Sequence, residues 1–311
     1  MKHFISLSRV QWMVAFGMAN LSLAVLQAES RCPASAASLT PRFVQRAIIV
    51  IPVRINQTGP YDFVVDTGSQ VTVIDPSLAL ALDLKPLGTV GVISIASYAQ
   101  ASITVLDSLE AGANVVEKPV ALVQDLGQIQ AADPRIRGLL GENFLAHFDL
   151  LIDYGHKRLC LDKTSALRES VRGEHVPLMT PHDPDGDLPF MQRLVVSVHL
   201  SGAGSREIRL QLDSGSDGPL LYPASTDREL RILEQATPRG TLVSKAQQAF
   251  ADLPPQDMRI GSRTLNRVSF ATEVSPRKDV PTPQEDGVLP TVLFQRVFIS
   301  GSDHYVVFDS R

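Results

Sequence analysis

"FVVDTGSQVTVID", residues 63–75, sets an acid between two stretches that read as buried β-strands. Phe63, Val64 and Val65 form the first and Val71 to Ile74 the second, with Asp66, Thr67, Gly68 and Ser69 between them. A carboxylate held there loses its hydration shell, which is unfavourable unless hydrogen bonds or a partner acid compensate. The stretch therefore implies a second element elsewhere in the chain that makes Asp66 tolerable.

An internal repeat supplies one. Residues 210–222 read "LQLDSGSDGPLLY", which places Asp213 147 positions after Asp66. "LEAGANVVEKPVAL" at 109–122 is answered by "MRIGSRTLNRVSFA" at 258–271, with Gly261 149 positions after Gly112. "GLLGENFL" at 138–145 is answered by "GVLPTVLF" at 287–294, with Gly287 again 149 positions after Gly138. Landmarks kept in one order at a nearly constant offset mark a duplication. One copy spans about 45–163 and the other about 189–311, on either side of a polar linker, 164–188, that holds "TPHDPDGDLP".

Within each copy the apolar runs are short, rich in Val, Ile and Leu, and bounded by Gly, Pro, Asp or Asn, as at Ala47–Val53, Ile93–Ile95, Val120–Val123 and Leu194–Leu200. This is the pattern of strands. Short helices are expected at Pro76–Leu82, after an Asp75 that can cap, and at Glu142–Ala146.

The 311 residues, 44% hydrophobic and 20% charged, suffice for two lobes with real cores. With 29 basic against 33 acidic residues, a net charge of −4 and no Lys/Arg run, the chain is not built to bind nucleic acid. Lys2 and Arg9 precede an apolar stretch from Trp12 to Leu26 that ends at Gln27-Ala28, so residues 1–28 read as an export signal. That stretch is interrupted by Asn20 and Ser22 and falls short of the ~18 apolar residues of a membrane anchor, so cleavage is expected, with no stable membrane insertion afterwards. The mature protein is then exported, periplasmic or secreted, with an amino-terminal arm at 29–44. Glu29-Ser30-Arg31 before Cys32 is not a lipidation site. The two cysteines, Cys32 and Cys160, are either unrelated thiols or a disulfide tying the arm to the first lobe, and the bridge is the expectation carried forward for an oxidising compartment.

No metal centre is expected. The seven His residues show neither HxH nor HExxH, and two cysteines cannot complete a zinc site with them. Asp183, Asp185 and Asp187 alternate like the start of a calcium loop, but Leu188 and Leu194 stand where Gly and a bidentate Glu are needed, so the segment reads as a solvated turn. No GxSxG turn points to a serine hydrolase.

Each copy thus carries apolar-apolar-Asp-Thr/Ser-Gly-Ser, followed some seventy residues on by Gly and two apolar residues. This arrangement resembles the aspartic proteases, both the single-chain pepsin-like type and the half-sized retropepsin-like type, and most of all bacterial exported aspartyl proteases. The resemblance spans both repeats, although only about eight motif positions in each carry it; the first copy matches well, whereas the second departs after Ser216. It implies a catalytic dyad of Asp66 and Asp213. Two carboxylates brought together cannot both ionise, so the pair holds one proton, and one member acts as base while the other acts as acid on a water and a peptide bond. It also implies supporting roles. Thr67 and Ser214 would reach across to the opposite lobe, Ser69 and Ser216 would hydrogen-bond the outer carboxylate oxygens, and Gly68 and Gly215 would let the backbone approach each acid. The hairpin at 92–105, "VISIASYAQASITV", would be a flap, with Tyr98 either covering substrate or standing exposed at its tip.

The expected fold is therefore all-β: a bilobed acid-protease fold of two duplicated β-barrel-like lobes with a cleft between them. The expected function is that of an aspartic-type endopeptidase, a hydrolase that acts on a polypeptide substrate as a monomer and needs no cofactor. In the second copy, Gly218-Pro219 stands where the first has Thr72 within a run of β-formers, and Pro290 stands where the first has Gly141. Proline removes a backbone donor and fixes φ, so the loop bracing Asp213 is open to rearrangement. That leaves an alternative, a catalytically impaired peptide-binding protein that grips an extended chain by β-addition. In a third reading the two motifs are unrelated turns, which requires the acids to lie far apart.

Overall fold

A computed structural model describes residues 32–34, 36–45, 47–93, 98–179, 193–223, 237–238, 250–274 and 284–310. The signal segment and the acidic turn around Asp183–Asp187 lie outside these residues. Among the described residues the architecture is β-sheet with a few short helices, arranged as three sheets.

The first sheet belongs to the first repeat. Its spine is the hairpin Ile48–Ile55 and Thr58–Val65, registered Val50 opposite Val64 and Ile51 opposite Phe63. Ile49, Ile51, Val53 and Ile55 alternate with Pro52 and Arg54, and this period of two sends them into a core shared with Phe63 and Val65. Thr58–Val65 then pairs in parallel with Ile136–Leu140, and that strand pairs antiparallel with Thr72–Ile74. The chain thus passes through the acid loop and is clamped on the far side by the Gly138 segment.

The second repeat builds the same clamp. Glu207–Asp213 pairs in parallel with Gly287–Pro290, which pairs antiparallel with Leu220–Leu221. Leu139 faces Val64 in one lobe and Val288 faces Gln211 in the other, the same register 149 and 147 residues on. Both prolines are accommodated, and Asp213 still pairs opposite Pro290. The rearrangement anticipated around Asp213 does not reach the strands.

A third, six-stranded sheet joins the lobes. Asp149–Asp153 and Arg158–Asp162 end the first repeat, Phe294–Ser300 and Tyr305–Ser310 end the second, and Leu150–Asp153 pairs antiparallel with Arg296–Ile299 across the molecular centre. The arm strand Ala37–Leu39 closes one edge against Leu159–Leu161, and Val176–Pro177 of the linker closes the other. Cys32 and Cys160 are joined by a disulfide that fixes the arm to this sheet. The edges of this sheet are thus strands of only three and two residues, which leaves little unpaired backbone to recruit other chains.

Helix Pro76–Ala81 starts where expected, with Asp75 accepting from the amides of Ser77 and Leu78, and the second helix is one turn, Glu142–Leu145. The hairpin anticipated at 92–105 is longer, formed by Gly88–Ile93 and Tyr98–Val105. Tyr98 pairs with Ile93 at the start of the returning strand; its side chain and residues 94–97 lie outside the described residues.

Candidate active site

Each acid ends a strand in the middle of its lobe. Asp66 follows Thr58–Val65, Asp213 is the last residue of Glu207–Asp213, and the two carboxyl groups come together where the lobes meet, each against the glycine of the other motif and coupled to the other acid. Both are more than nine-tenths buried. The reading in which the two motifs are unrelated turns fails on this contact.

Four reciprocal hydrogen bonds lock the loops together. The Thr67 amide donates to Ser214 Oγ at 3.1 Å, and the Ser214 amide donates to Thr67 Oγ1 at 3.0 Å. The Thr67 hydroxyl donates to the Leu212 carbonyl at 3.1 Å, and the Ser214 hydroxyl donates to the Val65 carbonyl at 2.7 Å. Both hydroxyls are buried, so each bond replaces water that is not available there, and losing one strands a partner. Gln211 adds a one-sided link, its amide nitrogen donating to the Gly68 carbonyl at 2.9 Å.

The glycines of the two motifs are required by close approach across the interface. A Cβ on Gly68 would fall 2.5 Å from Cγ of Asp213, and one on Gly215 would fall 2.7 Å from Oδ1 of Asp66. Each glycine therefore makes room for the opposite acid, so a side chain in either motif would push the dyad apart.

The donors are distributed unequally. Asp66 Oδ1 accepts from the amides of Gly68 at 3.0 Å and Ser69 at 3.2 Å, and Oδ2 accepts from the Ser69 hydroxyl at 2.7 Å. Asp213 accepts from the amides of Gly215, at 2.7 Å, and Ser216. The Ser216 hydroxyl does not reach the acid as expected. It donates to the Gly218 carbonyl at 3.1 Å, because the turn into Pro219 brings that carbonyl round to it. Burial raises both acids above the ordinary carboxylate range. Asp213 is raised well above it, by burial first and then by the charge of Asp66. Three donors on Asp66 against two on Asp213 favour the charge on Asp66 and the shared proton on Asp213, within a pair that titrates as one unit.

Around the first acid loop, Asn143 Oδ1 accepts from the Thr72 amide at 2.8 Å and the Thr72 hydroxyl at 2.9 Å, while its Nδ2 donates to the Val120 carbonyl at 2.7 Å. Thr72 Oγ1 in turn accepts from the Gly141 amide at 3.2 Å. Sequence reading missed this brace, as well as Gln211 and Glu142. The signals existed: Gln211 interrupts an apolar strand, and Glu142 and Asn143 follow Gly141 directly in an apolar segment.

The sequence model of the aspartyl protease family matches residues 51–144, which contain the first acid motif and its brace. Among solved structures, the chain is similar to an aspartic proteinase from Irpex lacteus at 10% identity, with a TM-score of 0.52 over 88% of this chain and 97% of that chain. A retropepsin-like aspartic protease from Rickettsia conorii aligns at 20% identity, with a TM-score of 0.30 over 40% of this chain and 89% of that chain. No curated protein matches the sequence. The chain has the bilobed aspartic protease fold, and its first lobe is the part that matches the aspartyl protease family model.

Proposed function

We propose that the protein is an aspartic endopeptidase that hydrolyses polypeptides outside the cytoplasm, working as a single chain with one acid from each lobe. The observation that supports this most directly is the contact between Asp66 and Asp213, held by reciprocal hydrogen bonds with each glycine backing the opposite acid. Asp66, carrying the charge, takes a proton from a water lying between the two carboxyls as that water attacks the scissile carbonyl. Asp213 donates its proton toward the carbonyl oxygen, and the pair then protonates the departing amine. The reaction forms the C–O bond, breaks the C–N bond and returns the dyad to its singly protonated state. These steps use only groups of the chain and water. The hairpin Gly88–Ile93 and Tyr98–Val105 would close over the bound peptide.

The test is cleavage of a diverse peptide library across a range of pH by the native protein and by Asp66→Asn. Cleavage by the native protein alone supports the reading, and equal cleavage by both overturns it. A peptide analogue with a hydroxyl at the position of the scissile carbonyl is expected to bind the native protein tightly and the variant weakly.

A further inference from the structure

Glu142 is an acid that the dyad chemistry does not use. It is 3% exposed, and its Oε1 is buried with no hydrogen-bond partner. Its own amide donates at 2.8 Å to the carbonyl of Ser69, the residue whose amide and hydroxyl hold Asp66. Its side chain borders a small cavity whose lining is mostly apolar, Leu145, Leu150, Leu194 and Ile299, with Ser300 and His304 as its polar members.

The second lobe provides an internal control. The equivalent position, 149 residues on, is Thr291, which is also buried, but its hydroxyl is hydrogen-bonded to Tyr154 at 2.7 Å. The fold therefore has a satisfied solution for this site. The first lobe carries a carboxyl there instead, without a partner and behind the acid that bears the charge. Burying such a group is unfavourable, and an unfavourable group retained beside reacting atoms points to a role in the reaction.

We propose that Glu142 is a positioning residue for the dyad: kept neutral, it lets Asp66 carry the negative charge, and its ionisation opposes that charge and closes the working range of the site on the alkaline side. Burial, and then the charge of Asp66, push Glu142 up to about 8. The other titratable or charged groups around it are Asp213 across the dyad, His304 on the cavity wall, and Asp149, which is held by Arg168 and by Ser300. Below its folded pKa Glu142 is uncharged and Asp66 faces one negative charge fewer. Above it, a second buried anion stands behind Asp66, and the shared proton is drawn from Asp213 toward the first lobe.

The same group links stability to pH. Its folded pKa lies above the ordinary carboxylate value, so the folded chain keeps a proton that the unfolded chain releases. Its contribution is fully present below the unfolded pKa and is lost as pH rises toward about 8.

This inference rests on the peptidase reading, and the experiment separates the two. The pH profile of kcat/KM and the unfolding midpoint from pH 5 to 9 are measured for the native protein, Glu142→Gln, Glu142→Thr, Asp66→Asn and the Asp66→Asn/Glu142→Gln double variant. In Glu142→Gln the alkaline limb of kcat/KM is expected to move up by about half a pH unit or more. The fall in midpoint with rising pH is expected to flatten in the same variant, and the effect of Glu142→Gln on stability should shrink when Asp66 is already neutral. Glu142→Thr, which installs the second lobe's residue, should reproduce the shift if the carboxyl rather than the packing is responsible. Superimposable activity profiles for native and Glu142→Gln would overturn the inference. An inactive native protein would overturn the peptidase reading instead, and the stability cycle would then decide, strict additivity of Asp66→Asn and Glu142→Gln counting against any coupling.

Discussion

The two acid loops occupy equivalent places, yet they are stabilised by different means. In the first lobe Thr72, Gly141 and Asn143 form a closed set of hydrogen bonds behind Asp66. In the second, the same positions are Pro219, Pro290 and Val292. Each change answers another. Pro219 has no amide, so nothing there needs an acceptor such as Asn143, and Val292 can be apolar. Pro290 has no amide either, so the missing hydroxyl at Pro219 leaves no donor unpaired. Read singly, the prolines look like damage. Read as a set, they remove the donors of the polar brace together with the acceptors those donors need, while the strand register stays the same.

The comparison would break most completely if one lobe proved dispensable. Asp66→Asn and Asp213→Asn are each expected to lower kcat by about 10³-fold or more, since each removes one of the two proton-transfer groups. The check is specific activity over a wide dilution series, with molecular size measured in parallel. Activity that survives Asp213→Asn but falls on dilution would mean that Asp66 pairs with its copy in a second chain, and that the second motif is a relic of ancestry.

Much of this arrangement was legible in the sequence because local chemistry dictates it. An acid between apolar strands, a glycine two residues later and a repeat at constant offset are covalent facts, and they fix strand, turn and duplication together. The disulfide partners could be paired because only two cysteines exist. The bridging sheet was not legible, because Asp149–Asp153 and Phe294–Ser300 read as ordinary strands whose pairing is set by how the lobes dock. Nor was the direction of the Ser216 hydroxyl, which depends on where the following proline turn puts the Gly218 carbonyl. Glu142 stood in plain view after Gly141, but its burial depends on Leu194 and Ile299, which lie far along the chain.

A smaller effect sharpens the comparison of the two braces. Asn143→Val in the first lobe would strand the Thr72 amide and hydroxyl at a fully buried residue, and is expected to cost about 1–3 kcal/mol. Val292→Asn in the second lobe adds a polar group at a half-buried site and is expected to cost less than about 1 kcal/mol. Denaturant unfolding of both variants decides between them. Equal losses would show that the second lobe needs its own packing as much as the first needs its hydrogen bonds.

The smallest expected effect distinguishes the two serines of the motifs. Ser69 and Ser216 are equivalent in sequence, and a role read from the motif alone would make their alanine variants equally harmful. The structure separates them: the Ser69 hydroxyl donates to Asp66 Oδ2 at 2.7 Å, whereas the Ser216 hydroxyl donates to Gly218. A hydrogen bond to a charged acceptor contributes about 1.5–3 kcal/mol, so Ser69→Ala removes part of what keeps the charge on Asp66. With that donor gone, Asp66 is raised further, and the acid limb of the pH–rate profile should move to higher pH as kcat falls by about tenfold. Ser216→Ala leaves the amide donors of Asp213 untouched and should change kcat by less than about twofold, its cost confined to the turn into Pro219. Side-by-side profiles test the claim. Were Ser216→Ala to shift the acid limb as far as Ser69→Ala, the hydroxyl would have to turn toward Asp213 during the reaction, and the division of the dyad into a charged first lobe and a protonated second would lose its structural basis.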